Sequence, residues 1–392
     1  MRQFCNLPFM KHSSARQWLF IAVMVTFWGC ATDTKAPVIA INCTDAVRQV
    51  DQVCDYQFGD HVGSKAEVRI RGNSSLQYPK KSMRLEVDSV VSFCDLPAHD
   101  VWVLNANYID KSFIRHRLSF DLFRAMGAHN LSPNGCYREV EVNGDYRGVY
   151  FIHERIDQER CGILDQQPGG VIYKEPPVFL EENAQFEPGD HPWGQKYPDD
   201  GETDMSELAL EMQRFLNESA DSVFAAEIGN WFHLENVADW MLLLMLTNNT
   251  DGIYRNFYLY RLHEGLPFRV AIWDYDETFG RYGDNRPNNI DTEVNFNNHP
   301  LLGRLLKMDS FRNLLRKRWL QHRQQVFSEE NIMNRIDTYT SELETIVPEN
   351  FNRWPIDGPG YFDDTVFSEE IGFIRDFIQR RLITLDRRIA EM

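Results

Sequence analysis

The chain has 392 residues, of which 43% are hydrophobic, 13% are aromatic and 25% are charged. This composition is typical of a globular protein with a sizeable core, and it excludes disordered, collagen-like and multi-span membrane proteins. Acidic residues number 58 against 41 Lys and Arg, which gives a formal net charge of -17 at pH 7. Because nucleic-acid affinity comes mainly from cations placed on phosphates, this charge argues against nucleic acid as a partner.

The first 29 residues have the features of an export signal. Their charges are all basic, and the uncharged run 18–28 is too short to span a bilayer but suits a secretory signal. A Gly-Cys pair then ends at Cys30, as in bacterial lipoprotein signals, in which the cysteine carries the lipid. We therefore expect an exported chain that starts at a lipidated Cys30 and is anchored to the cell membrane or outer membrane. An unlipidated signal peptide and an uncleaved anchor are the alternatives.

Five cysteines follow Cys30, and an exported chain can oxidise some of them. Cys43 and Cys54 are the most local candidate pair. Because the number is odd, at least one thiol stays free. The sequence has no spacing typical of a structural zinc site.

The part of the chain before residue 175 has the pattern of a β-rich lobe. Residues 30–64 are expected to form a tether and the start of this lobe. In the lobe proper, residues 65–174, several segments alternate apolar and polar residues as half-buried strands do. One helix is predicted at 111–126, and Asn143-Gly144 predicts a β-hairpin.

The rest of the chain has a different pattern. Residues 175–204 are rich in acids, Pro and Gly and are predicted to form an exposed loop or insertion. Residues 205–392 are predicted to form a mainly helical lobe that carries a β-hairpin at 251–276. The predicted fold class is α+β with two lobes, and a ligand would bind between them.

Three polar residues stand at the ends of this second hairpin. Asp251 and Asn256 enter its first strand with Asp-x4-Asn spacing, and Asp274 follows its second strand. Because a hairpin folds its ends together, we expect the three side chains to converge. One carboxylate could then orient an attacking hydroxyl, while the other two groups hold Mg²⁺ with hard oxygen ligands. Asp276 is a further carboxylate nearby, and the alternative is a turn rich in capping Asn and Asp residues.

A second set of polar residues could bind an anion. Arg71, Ser74 and Ser75 belong to a turn that offers a cation, hydroxyl groups and backbone N–H groups. Strand alternation places Lys81 on the apolar face, with its ammonium towards the interior or a cleft, whereas Lys80 faces the other way. The alternative is a surface hairpin with solvated cations.

Two further residues are candidates for the same ligand. Asp110 reads as the N-cap of the predicted helix, and Arg115 lies one turn further on, from where it could reach a phosphate. Glu154 ends the strand of the first hairpin and could line the cleft. An edge-strand ion pair is an equally good interpretation of Glu154.

Taken together, these segments resemble the CotH kinase family, which is named for a spore-coat protein and is related in fold to secretory-pathway protein kinases. The resemblance extends over roughly residues 65–285 and includes five blocks in the same order. These blocks are 71–75 with 79–82, 102–112 with Arg115, 142–150 with Glu154, 251–260, and 273–280.

The resemblance implies an atypical kinase fold and phosphorylation of protein Ser or Thr with Mg-ATP, with Mn²⁺ as the alternative metal. By position, Asp251 would be the catalytic base, and Asn256 and Asp274 would be metal ligands. Lys81, or its neighbour Lys80, would pair with the ATP phosphates.

One feature departs from ordinary kinases, because the helix 111–126 contains no Glu to pair with the phosphate-binding Lys. Its only acid is Asp121, so that either Asp121 or Glu154 substitutes or the ion pair is absent. The competing interpretation is therefore a non-catalytic surface lipoprotein, a pseudokinase that binds a protein or glycan.

Overall fold

A computed structural model describes residues 38–59, 61–165, 167–180, 193–199, 201, 203–283, 286–287 and 294–392. The predicted export signal, Cys30 and the acidic run 181–192 lie outside these residues. Within them, no helix is both long enough and apolar enough to cross a bilayer.

Most strands lie in the first half of the chain. The described residues contain β1 (Ile39–Cys43), β2 (Gln52–Phe58), β3 (His61–Arg71), β4 (Ser82–Val91), β5 (His99–Asn105), β6 (Gly135–Val142), β7 (Asp145–Glu154), β8 (Val171–Lys174), β9 (Gln195–Tyr197), β10 (Phe257–Arg261), β11 (Arg269–Ile272), β12 (Arg281–Tyr282) and β13 (Arg286–Pro287). The hairpin predicted at Asn143-Gly144 is confirmed, since β6 and β7 pair antiparallel around it and both turn residues have positive φ.

Most helices lie in the second half. The described residues contain α1 (Arg115–Ala125), α2 (Gln158–Cys161), α3 (Ser206–Glu218), α4 (Asp221–Trp231), α5 (Leu234–Thr247), α6 (Leu302–Lys307), α7 (Asp309–Arg323), α8 (Glu329–Leu343), α9 (Val347–Arg353) and α10 (Phe367–Glu391), with short 3₁₀ turns at Ser74–Gln77, Pro177–Phe179 and Asp251–Ile253. The structure is therefore a mixed α+β fold with a sheet-rich N-terminal part and a helical C-terminal region, as the sequence predicts.

The first seven strands close into a barrel in the order β1-β2-β3-β4-β5-β7-β6. The barrel closes where β1 pairs parallel with β6, so that Ile39 lies opposite Val140. Alternate residues of the strands point inward and fill the interior with apolar side chains, among them Leu85 and Trp102. The stretch 30–64, expected as a tether and the start of the lobe, thus supplies β1, β2 and the start of β3.

Two disulfides hold the barrel. Cys43 lies directly opposite Cys54 in the β1–β2 ladder, and these two residues are joined. A second disulfide joins Cys94 to Cys136. Cys161 is the free cysteine of the described residues, and its burial raises the pKa of its thiol.

A second sheet has the order β11-β10-β8-β9. It contains the predicted hairpin as β10 and β11, but β8 comes from before residue 175 and pairs antiparallel with β10. Part of the predicted exposed loop is also built into the structure, because Val178 and Phe179 are buried and β9 extends this sheet. The sheet therefore joins segments that the sequence analysis assigns to different regions.

Helix α5 forms the centre of the helical region. Its residues from Asn236 to Thr247 are all buried, as expected for a helix that is apolar on every side. Helices α1, α7 and α10 and strand β11 pack around it.

One charged side chain in α5 is fully enclosed. The carboxylate of Asp239 accepts hydrogen bonds from Arg318 (2.8 and 2.5 Å), Asn130 (2.7 Å), His322 (2.9 Å) and His129 (3.2 Å). Burial would raise its pKa, but the donors from these residues lower it well below the usual range. This carboxylate therefore joins α5 to α7 and to the loop after α1.

Replacing this carboxylate is expected to destabilise the fold. Asp239→Asn removes the charge that compensates buried Arg318, and such a loss costs about 3–5 kcal/mol of unfolding free energy. Urea denaturation at pH 7 measures the change. The pKa of Asp239 is lower in the folded protein than in the unfolded protein. Its contribution to the unfolding free energy is therefore fully present above the unfolded-state pKa, and it is lost as the pH falls from there through the folded-state pKa. Glu227→Ala, at an exposed position of α4, is the control and should change stability by no more than about 0.5 kcal/mol. A loss below about 1 kcal/mol for Asp239→Asn would contradict the expectation.

Candidate functional site

A cleft of about 790 Å³ lies where the barrel, the second sheet and the end of α5 come together. The loop 71–75 after β3 and the loop 105–109 after β5 form its barrel side. Lys174 and Glu175, at the end of β8, form another wall. The segments 251–256 and 273–277 complete it, so the cleft collects most of the predicted site residues.

Asp251 and Asn256 are held by the way α5 ends. Asn248 caps α5 in the left-handed conformation (φ 53°), and Asn249 accepts a hydrogen bond of 2.8 Å from the backbone N–H of Gly252. This turn starts the 3₁₀ segment with Asp251, whose Oδ2 accepts a hydrogen bond of 2.6 Å from the side-chain amide of Asn256. The segment is therefore a turn with capping Asn residues, and the same turn positions Asp251 in the cleft, so the two interpretations of the sequence do not conflict.

The β10–β11 hairpin brings Asp274 to the same place. Asn256 directly precedes β10, and its carbonyl accepts a hydrogen bond of 2.9 Å from the backbone N–H of Trp273, directly after β11. Asp274 is the next residue. Asn256 and Asp274 both have left-handed backbones (φ 60° and 56°), a conformation that Asn and Asp adopt more readily than most residues. The structure therefore brings Asp251, Asn256 and Asp274 together, and Asp276 lines the same cleft.

His116 is a neighbour of this group that the sequence analysis missed. It is the second residue of α1, and its Nε2 lies 3.0 Å from Oδ1 of Asp274. The two residues are 158 positions apart, and no spacing in the sequence links them. Only the packing of α1 against the hairpin creates the contact.

The three carboxyl groups of the cleft have different electrostatic environments. Burial and the negative charge of Asp274 raise the pKa of Asp276 to about 7. Burial, supported by Asp274, also raises the pKa of Asp251, while Arg255 opposes the rise. For Asp274 itself, burial alone would raise the pKa, but the hydrogen bond from His116 and the nearby positive charges lower it. The cleft therefore holds Asp274 as the most acidic of the three.

Two cations in the cleft act on Asp274. The guanidinium of Arg71 lies 5.5 Å from the ring centroid of Trp273, and the charges of Arg71 and Lys174 both lower the pKa of Asp274. Ser74 and Ser75 also line the cleft, as predicted from the turn. Lys174 was not among the predicted site residues, because it ends a short strand and carries no recognisable motif.

The predicted orientations of Lys80 and Lys81 are wrong. Strand β4 begins only at Ser82, so strand alternation does not apply to the two lysines. The ammonium of Lys81 donates to the backbone carbonyls of Leu76 and Tyr78 in its own turn. Lys80 is the more buried of the two and donates to the carbonyl oxygens of Ala106 (2.8 Å) and Val149.

The side chain of Asn350 in α9 is the third acceptor of the Lys80 ammonium, at 3.0 Å. Gly148 permits this approach, since a Cβ at that position would lie 2.3 Å from the same amide oxygen. Burial lowers the pKa of Lys80 well below its usual value. Lys80 thus fastens the barrel to α9; it also lines the cleft, with its ammonium bonded to these three oxygens.

Arg115 also differs from its expected role. It is fully buried, and its guanidinium donates to the Asp110 carboxylate (2.5 Å), the Glu370 carboxylate (2.8 Å) and the backbone carbonyl of Thr278 (2.9 Å). Helix α1 begins at Arg115, so Asp110 is not its N-cap residue, although its carboxylate accepts the backbone N–H of Arg115 (3.0 Å). These bonds leave Arg115 no reach to a ligand in the cleft.

Glu154 lies outside the cleft as well. Its carboxylate accepts hydrogen bonds from the backbone N–H of Asn134 (2.9 Å) and pairs with Arg160 at 2.8 Å. This is the ion-pair alternative of the sequence analysis. Asp121 bonds to Arg124 and to the hydroxyl of Tyr339, so neither acid is placed to pair with a phosphate-binding lysine.

The donor set of the cleft fits a divalent cation and a phosphate. Asp274, Asp276 and Asn256 offer carboxylate and amide oxygens, which are the ligands that Mg²⁺ accepts. Arg71 and Lys174 offer positive charge close to these oxygens.

Comparison with known proteins assigns the family. Residues 68–385 match the family described as CotH kinase protein, and the chain therefore belongs to this family. Over 223 residues the chain is 28% identical to the inner spore coat protein H of Bacillus subtilis (strain 168), in an alignment that covers 55% of this chain and 59% of that protein. The chain thus spans little more than half the length of this curated relative.

A solved structure gives a weaker likeness. The crystal structure of the Helicobacter pylori proinflammatory kinase CtkA aligns over 87% of this chain and 99% of its own, with 11% identity and a TM-score of 0.30. At this score the likeness carries no argument about the fold or the function.

The electrostatics of the cleft can be measured directly. In the metal-free protein with ¹³C-labelled Asp carboxyls, NMR titration should show Asp276 with a pKa of about 7, because burial and Asp274 oppose its ionisation. Asp274→Asn removes that negative charge and should lower the pKa of Asp276. The resonance is assigned by its loss in Asp276→Asn. An Asp276 that titrates near the ordinary Asp value in both proteins would contradict this account of the cleft.

Proposed function

We propose that this protein is a kinase that transfers the γ-phosphate of ATP to Ser or Thr side chains of a protein, with Mg²⁺ or Mn²⁺ as cofactor. The observation that carries the proposal is the convergence of Asp251, Asn256 and Asp274 in one cleft. The membership of this chain in the CotH kinase family supports the same reaction class. Phosphoryl transfer depends on positioning and on charge stabilisation, and this group of oxygens can provide both.

Asp251 would be the catalytic base. It lines the cleft with Asn256 bonded to one carboxylate oxygen, which leaves the other oxygen for a substrate hydroxyl. Its pKa is raised by burial, which makes the carboxylate a better proton acceptor than an exposed Asp.

The metal ion would be held by Asp274 and Asn256, with Asp276 as a further carboxylate. When bound, the ion would neutralise charge on the transferred phosphoryl group. Asp274 is suited to this role because His116, Arg71 and Lys174 keep its carboxyl ionised. The side chain of Asp274 is 48% exposed and faces the cleft.

The ATP phosphates would be bound by Arg71 and Lys174 together with the hydroxyls of Ser74 and Ser75. These cations replace Lys80 and Lys81 in the proposal, because both lysine ammoniums are bonded to oxygens of the protein. Charge-assisted hydrogen bonds to phosphate are among the strong polar contacts of proteins.

One observation favours the non-catalytic alternative. Both predicted lysines have their ammonium groups bonded to oxygens of the protein, although Lys80 lines the cleft, and neither Asp121 nor Glu154 is placed as an acidic partner. A pseudokinase that binds ATP or a protein without transfer would have the same features.

We also propose that the protein is exported and lipid-anchored through Cys30, facing a protein substrate outside the cytoplasm. The disulfides Cys43–Cys54 and Cys94–Cys136 support export, since such bonds persist in oxidising compartments.

The reaction is tested by incubating the purified protein with γ-labelled ATP and Mg²⁺ or Mn²⁺, with and without a generic protein acceptor. We expect metal-dependent transfer of label to Ser or Thr. Asp251→Asn and Asp274→Asn should each reduce the rate by at least about 100-fold, because they remove the base and a metal ligand. Asp55→Asn, at an exposed position of β2, is the matched control and should retain the rate.

Two results would contradict the kinase proposal. Labelling that survives both substitutions would place the reaction elsewhere. The absence of both labelling and an ATP-induced thermal shift would remove ATP as the ligand. ATP binding without transfer to the protein or to the acceptor would favour the pseudokinase.

The phosphate contacts are tested by ATP affinity in the presence of Mg²⁺, measured by calorimetry. Lys174→Met and Arg71→Met should each weaken binding by about tenfold or more, as expected for the loss of a charge-assisted hydrogen bond. Lys65→Met, at an exposed position of β3, should leave the affinity unchanged. If Lys81→Met weakens binding more than Lys174→Met does, Lys81 must leave its own turn to reach the phosphates, and the assignment is wrong.

A further inference from the structure

One enclosed imidazole lies beside the proposed metal site. His116 is 1% exposed, and its Nε2 lies 3.0 Å from Oδ1 of Asp274. Its Nδ1 is buried and has no hydrogen-bond partner among the described residues. His116, Asp274 and Asp276 each present one ligand atom, and these atoms lie within 4.8 Å of one another.

We propose that Nε2 of His116 is a direct ligand of the divalent metal ion, together with Asp274 and Asp276. The site would then combine nitrogen with oxygen donors and bind a transition-metal ion more tightly than Mg²⁺. This inference rests on the metal site of the proposed function and adds a ligand and a metal preference to it.

The spacing of the donor atoms supports direct ligation. Adjacent ligands of an octahedral ion with bonds of about 2.1 Å lie about 3.0 Å apart. This is the separation between Nε2 of His116 and Oδ1 of Asp274. A metal ion can therefore replace the shared proton without a shift of α1.

The ring is also held in place for this role. His116 follows Arg115, whose guanidinium is bonded to two buried carboxylates and fixes the first turn of α1. The imidazole packs edge-on against Phe120, with ring centroids 5.7 Å apart. The side-chain amide nitrogen of Asn105 also lies 3.5 Å from Nε2. A ligand held in this way binds a metal ion with little loss of side-chain freedom.

The chemistry of the donors predicts the selectivity. Mg²⁺ is bound in proteins almost entirely through oxygen, whereas imidazole is a good ligand for transition-metal ions. For a mixed nitrogen and oxygen site, affinity rises from Mn²⁺ towards Co²⁺. The competing role of His116 is to orient Asp274 through a hydrogen bond, and this role would create no bond between nitrogen and the metal.

The test uses the purified full chain with Mn²⁺ and no nucleotide. Pulsed electron paramagnetic resonance detects the ¹⁴N nucleus of an imidazole bonded directly to Mn²⁺. We expect this coupling in the wild-type protein, its replacement by a ¹⁵N signature after labelling of histidine, and its loss in His116→Asn. His263→Asn, in the turn between β10 and β11, is the matched control and should keep the coupling.

The same samples give the metal preference. His116→Asn should weaken Mn²⁺ binding by about 10- to 100-fold, the range seen when metal-site partners are removed, and should affect Mg²⁺ less. A similar loss for both ions would overturn the claimed preference.

Other results separate this inference from the proposed function. Mn²⁺ bound without a directly bonded histidine nitrogen would overturn the ligation and leave the carboxylate site standing. If His116→Asn does not fold, the ¹⁵N-histidine experiment on the wild-type protein decides alone. A wild-type protein that binds no Mn²⁺ would overturn the metal site and the ligation together.

Discussion

The buried guanidinium of Arg115 is the contact on which the geometry of the cleft depends. It joins the start of α1 to α10 through Glu370 and to the segment after Asp274 through the carbonyl of Thr278. Arg281 pairs with the same Glu370 and with Asp363, which also pairs with Lys111, so that three cations and three carboxylates neutralise one another. Buried charges of this kind are tolerated only when all of them are paired, which restricts the three segments to one arrangement. His116 and Asp274 are brought together by this restriction, although neither belongs to the network.

The backbone of the cleft is also under constraint. Asn256 and Asp274 have positive φ, and so do Asn107 and Glu175 on the opposite walls. A left-handed backbone costs free energy in any residue other than glycine, and it persists only where the surrounding structure holds it. Here the β10–β11 ladder and the second sheet do so, since the backbone N–H of Asn256 donates to the side chain of Glu175 at 3.0 Å. Four residues with a left-handed backbone therefore line the cleft in which the oxygens of the site converge.

The sequence predicted those parts of the site whose structure depends on the local sequence pattern. The β10–β11 hairpin follows from two apolar runs, and a hairpin brings its ends together whatever surrounds it, so Asp251, Asn256 and Asp274 could be grouped in advance. The orientation of Lys80 and Lys81 could not, because it depends on where β4 starts and on Asn350 of α9, 270 residues away from Lys80.

Long-range pairing explains the other differences between sequence and structure. β8 lies within residues 65–174, which are predicted as one β-rich lobe, yet it pairs with β10. Arg115 appeared available because the sequence does not reveal that Glu370 lies beside it. The contact of His116 with Asp274 arises in the same way, from packing of segments that are distant in the chain. The local sequence pattern does not predict the structure at these positions, because tertiary contacts decide which charged side chains are buried.

The balance of charge in the cleft would give the proposed metal ion a part in ligand binding as well as in the proposed reaction. Acidic and basic residues lining the cleft are equal in number; the acids are Glu175, Asp251, Asp274, Asp276 and Glu277, and the basic residues are Arg71, Lys80, Lys174, Lys196 and Arg255. Because the ammonium of Lys80 is bonded to oxygens of the protein, the basic side chains alone give a polyphosphate little net attraction. In the proposed reaction, a divalent ion on Asp274 would add positive charge and would make the same carboxylates part of the binding site. The lowered pKa of Asp274 suits it to hold such an ion, and the ion would then supply the charge neutralisation that the bonded ammonium groups of Lys80 and Lys81 do not.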